Sequence, residues 1–153
     1  MAKTVLLARP HPFIVTEMRP FLEQNGFASK KLESLAALPA SAAGASGSII
    51  SLAVASSVGV AESAEEVFVA VRKQSPRLPV LFAAMLDFAK MKSTLERLAK
   101  NNGIAATILG ISAATESNAG LGKPNTFLYI GKDDLTSPEQ RAIAARILQR
   151  HFR

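Results

Sequence analysis

Few side chains in this 153-residue chain have the types and spacing that chemistry needs, and most of those follow apolar runs. Arg9-Pro10-His11-Pro12 follows residues 4–8, Ser56-Ser57 follows residues 48–55, and Lys132-Asp133-Asp134 follows residues 126–130. If those runs are parallel strands, the three groups meet at the carboxyl edge of one sheet, where open α/β folds bind ligands. There Arg9 would supply charge and the Ser56 and Ser57 hydroxyls would donate, which is an anion-binding set with His11 beside it.

Other chemistry is poorly represented. His11 and His151 are the only histidines, and His151 falls in a last helical turn, where a cation suits the helix dipole. Ser56 lacks the G-x-S-x-G elbow that a Ser/His/acid triad needs. Gly120–Lys123 (GLGK) lacks both the spacing of a phosphate loop and its following Ser or Thr. Asp133-Asp134, just ahead of a helix start, reads as a turn that complements the dipole. With no cysteine, disulfides and thiolate chemistry are excluded. No catalytic residue, metal or cofactor is expected, and the chain is not expected to be an enzyme.

The elements that must hold these residues alternate in period. Residues 48–55 and 79–84 are apolar enough for strands covered on both faces, residues 4–8 and 105–111 read as further apolar strands, and residues 126–130 as a short strand. Residues 28–33, with Lys30 and Lys31, read as an edge strand guarded by charge. Ser63 with Glu66 forms a capping box, Asp87 caps a helix carrying Phe88, Met91, Leu95 and Leu98, and Ser137-Pro138-Glu139-Gln140 opens the last helix. Pro20 should kink the first helix by removing its bond to the Thr16 carbonyl. Residues 34–47 offer a short helix over 34–38 and then a turn around Pro39. The implied architecture is a single α/β domain over 1–153, a doubly wound, flavodoxin-like and mostly parallel sheet with helices on both faces.

Composition agrees. The chain is 48% apolar with eight Phe, enough for one core, and its net charge of +6 is concentrated after Val71. No apolar stretch suits a bilayer span or a signal peptide, so no membrane partner and a cytoplasmic location are expected. One Tyr and no Trp give no aromatic platform, so nucleic acid would bind only weakly and in a salt-sensitive way.

TVLLA, PFLEQNGF and VRKQSPRLPVLFAAM look like the first strand, first helix end, and third helix into fourth strand of response-regulator receiver domains. The resemblance covers nearly the whole chain and implies a CheY-like strand order 2-1-3-4-5, with a possible sixth strand. It also implies a switch site, whose parts this chain lacks. Arg9 and Pro10 stand where the acidic pair that holds Mg²⁺ would be, Ser56 at or next to the phosphoacceptor position, and Ala84 where a hydroxyl would end the fourth strand. Lys132 matches the family's lysine only if residues 126–130 are the fifth strand. Residues 105–111 are the expected fifth strand, with 126–130 added or at the edge.

The resulting expectation is a degenerate receiver that works through protein–protein interaction and is not phosphorylated by the usual Asp/Mg²⁺ route. In receivers the fourth and last helices form the usual dimer or partner face, so Lys90 and Arg97, with Arg146, Arg150 and Arg153, mark a surface for an acidic partner or a second copy. A small-anion sensor at the carboxyl edge and a basic nucleic-acid binder are the alternatives.

Overall fold

The structure, a computed structural model, describes residues 3–9, 14–52, 63–114 and 120–152. Among them six strands form one parallel sheet: β1 (Lys3–Arg9), β2 (Phe27–Lys31), β3 (Ala45–Ser51), β4 (Val80–Ala84), β5 (Thr107–Gly110) and β6 (Thr126–Gly131), in the order β2-β1-β3-β4-β6-β5. This is the flavodoxin-like architecture, with a sixth strand.

The extra strand is not where the sequence suggested. β6 pairs with β4 over Val80↔Phe127 to Ala84↔Gly131, and β5 sits outside it at the edge. The inner position falls to β6 because all six of its residues are buried, whereas three of the four in β5 are at least partly exposed. A strand covered on both faces must be apolar on both.

The helices divide between the faces. On one, α1 (Arg19–Gln24) and α5 (Pro138–His151) pack Phe21, Leu22, Ile147 and Leu148 against Val5, Leu7, Leu81 and Leu128, together with Ile111 and Leu121 from the β5–β6 link. On the other, α2 (Leu38–Ala42), α3 (Ala64–Gln74) and α4 (Phe88–Asn101) cover Leu6, Ile50, Phe82 and Tyr129. Phe68, Phe82 and Phe127 form an aromatic cluster under α3, with ring centroids 5.2 to 5.7 Å apart.

The start signals operate as local chemistry dictates. Ser63 Oγ accepts from the Glu66 amide at 3.2 Å while the Ser63 amide donates to Glu66 Oε1 at 3.3 Å. Asp87 and Ser137 cap α4 and α5, and each such cap contributes about 1 kcal/mol.

The two prolines within helical segments differ in effect. Pro20 lies inside a continuous helical run, with a π-helical turn (Ile14–Met18) directly before α1 and Met18 itself in helical geometry, so the disturbance expected at Pro20 takes the form of a change of helix type. Pro39 lies in the first turn of α2, after a 3₁₀ turn (Leu35–Ala37), so it begins a helix that buries Leu38 and Ala42 instead of ending one. β3 starts three residues before the predicted Ser48, and residues 53–55 of that predicted strand lie outside the described residues.

Candidate functional site

β1, β3, β4 and β6 end side by side, and their carboxyl ends form the rim where the sequence placed its site. Arg9 is the last residue of β1 rather than part of a solvated turn, and it is 2% exposed. Its Nη1 donates to the Ser51 carbonyl at 2.7 Å, tying the end of β1 to the end of β3. Burial lowers the Arg9 pKa from its usual range, although a guanidinium remains charged under any ordinary condition. Here Arg9 works as a strand tie.

Ala84 closes β4 and is buried, offering only a methyl group to the rim. Lys132 is exposed directly after β6, so the inner strand is followed by the lysine that the alternative assignment required. Pro10, His11, Ser56, Ser57 and Arg153 lie outside the described residues.

The β4–β6 half of the rim holds groups that the sequence reading missed. The Tyr129 hydroxyl donates to the Leu86 carbonyl across the mouth of the sheet. Its pKa is pushed well above the usual phenol range, first by burial and then by the charges of Asp134 and Asp87. Gly131 lies so close to the same loop that a Cβ there would stand 2.7 Å from the Leu86 oxygen, so a side chain at 131 would push the β4–α4 link away. Asp134 Oδ2 accepts from the Gly131 amide at 2.7 Å. Burial raises the Asp134 pKa, opposed by that hydrogen bond and assisted by Asp133. Met85 and Leu86 leave about half of their surface in solvent at this rim. No sequence signal marked Tyr129, because an aromatic residue in a buried strand reads simply as core.

The rim is therefore divided, with a buried cation on the β1–β3 side and carboxylates on the β4–β6 side. Of the expected anion-binding set, only Arg9 lies among the described residues, and it is on the β1–β3 side. Asp87 and Asp134 are each engaged with a backbone amide, and no group of three His, Asp or Glu side chains suited to a metal occurs among the described residues.

The other candidates resolve individually. His151 is not a solvated cation on the α5 terminus: it is fully buried, with Nε2 2.8 Å from the Val80 oxygen and Nδ1 accepting from the Gly122 amide at 3.0 Å. That bond also commits one amide of the GLGK turn. Lys90 and Arg97 are exposed on α4, Arg146 and Arg150 on α5. The two helices pack on opposite faces of the sheet, and β5 forms the sheet edge beyond β6. Among the described residues no helix is long and apolar enough to cross a membrane.

No protein-family model and no curated protein sequence matches the chain. Solved structures do. The response regulator receiver protein from Sinorhizobium medicae WSM419 is similar at a TM-score of 0.53 and 16% identity, over 97% of this chain and 95% of that one. NtrX from Brucella abortus is similar at 0.55 and 15% identity over 98% of this chain. The chain spans only 28% of the length of NtrX. The shared property is the fold, a receiver-like parallel sheet with helices on both faces.

Proposed function

We propose that this protein is a receiver-like signalling module that acts by binding another protein, without catalysis and without an aspartyl-phosphate switch. The observation that carries this reading is Arg9, buried at the carboxyl end of β1 and bonded to Ser51. Aspartyl phosphorylation needs a carboxylate nucleophile and a cradle of hard oxygen ligands for Mg²⁺. A fixed guanidinium repels a divalent cation at that place, Pro10 and Ser56 supply no carboxylate, and Ala84 offers the phosphoryl group no donor. The residues present do not fit the metal.

Such a framework acts through its exterior. Affinity for a partner depends on the exposed face, which the loss of a phosphoryl pocket leaves intact. The receiver fold of the similar structures and the surplus of exposed Lys and Arg support an acidic protein partner.

The test is chemical. The protein is incubated with a small phosphodonor and Mg²⁺, and its intact mass is compared with that of an untreated sample. No phosphoryl adduct is expected, whereas an acid-labile adduct on a single side chain of the rim overturns the reading.

A further inference from the structure

Two open cavities lie at the end of the sheet opposite the rim. One, about 340 Å³, is bounded by the last turns of α3 and the link from α4 to β5. Ile104 is partly exposed there above the buried Phe68 ring, and Val69 stands beside them 41% exposed, one of three large apolar side chains so exposed among the described residues. Arg72 and Lys73 flank it, and Pro76 joins it to a second depression lined by Ser75 and Arg77. Neither cavity is lined by a carboxylate among the described residues.

The cations are free to act on a ligand. Arg72 is held by neutral acceptors alone, the Pro124 carbonyl at 3.3 Å and Asn125 Oδ1 at 2.5 Å, with its guanidinium 6.0 Å above the Phe68 ring. Those contacts fix its position without cancelling its charge. Arg72, Lys73 and Arg77 form no ion pair among the described residues. Basic residues in a last helical turn do stabilise the helix dipole. That explains Arg72 and Lys73, but neither the exposure of Val69 nor Arg77, which lies beyond the helix.

We propose that this groove is the docking site for a partner segment that is acidic and carries an apolar anchor residue. The inference rests on the protein-binding reading above and assigns it a surface. An anchor side chain would cover Val69 and the partly exposed Ile104, as buried anchors do at interface hot spots. Flanking carboxylates would meet Lys73 and Arg77, with the fixed Arg72 guanidinium adding its uncancelled charge beside them. The apolar surface disfavours a wholly hydrophilic anion, and the site is remote from Arg9 and the rim.

Fluorescence anisotropy of the full chain tests this with labelled peptides of alternating Glu and Leu, of Glu alone, and of alternating Lys and Leu, beside a single-stranded oligonucleotide. The Glu/Leu peptide is expected to bind at low ionic strength, and to bind more tightly than any other probe. The Lys73→Glu/Arg77→Glu variant should lose at least about tenfold in affinity at an unchanged melting temperature, and Val69→Ser should weaken binding as well. The Arg146→Glu/Arg150→Glu variant should bind as the parent does. Absence of Glu/Leu binding, binding indifferent to Lys73 and Arg77, or preference for the oligonucleotide overturns the groove. A loss seen only in the Arg146→Glu/Arg150→Glu variant also overturns it, while leaving the protein-binding reading intact. A phosphoryl adduct overturns that reading whatever the peptides do.

Discussion

His151 Nε2 lies 2.8 Å from the carbonyl oxygen of Val80, which joins the last turn of α5 to the first residue of β4. The Gly122 amide can only donate, so Nδ1 must accept from it, and the proton therefore resides on Nε2 and is donated to Val80. One neutral imidazole thus satisfies a strand carbonyl and a turn amide together.

Replacing it exposes the cost. His151→Ala leaves the buried Val80 oxygen and the Gly122 amide without these partners and opens a cavity under α5, so a loss of about 3 kcal/mol is expected. Urea unfolding measures it, and hydrogen exchange should show the Gly122 amide losing protection. A variant as stable as the parent would mean that water replaces the ring at no cost.

Tyr129 governs the alkaline limb. Its raised pKa means that the folded state keeps the phenol proton after the unfolded chain has begun to lose it above about pH 10. The unfolded state then binds fewer protons, so stability falls as pH rises. Tyr129→Phe should cost about 1 kcal/mol at neutral pH through the lost bond to Leu86, and should flatten the alkaline decline. Denaturation at several alkaline pH values checks both, and an unchanged slope would assign the decline to other groups.

Asp134 works in the opposite direction from a salt-bridged acid. Its pKa is raised by burial, so the folded state holds the carboxyl proton more tightly than the unfolded chain. Its contribution to stability is therefore greatest in acid and is lost as pH rises from about 4 through the raised folded value. Asp134→Asn keeps an oxygen for the Gly131 amide and removes the ionisation. Its melting temperature at neutral pH should equal or exceed the parent's, and this part of the pH dependence should vanish. A lower melting temperature would show that the charge itself stabilises the turn.

Most elements could be read from the sequence because their signals act over three or four residues. Ser63 with Glu66, Asp87 with Lys90, and Ser137 with Gln140 each close a cap within one turn, so no distant contact was needed to place α3, α4 and α5. Pro39 departs from expectation for the same local reason: it lies in the first turn of α2, and which side of a proline carries the helix depends on what that helix can bury. Arg9 was recognised as the group standing where an acid would be, but its capture by Ser51 spans 42 residues and had no sequence signal.

The chain's own residues determined the repeating strand–helix pattern, the caps, and the absence of acids at positions 9, 10 and 56, since residue identity and short spacing suffice for each. Only the tertiary structure decided that β6 lies inside β5, that His151 is a buried neutral bridge, and that Val69 stands open beside Arg72 and Lys73. Those outcomes depend on which apolar surfaces find cover, and cover is supplied by residues far apart in the chain.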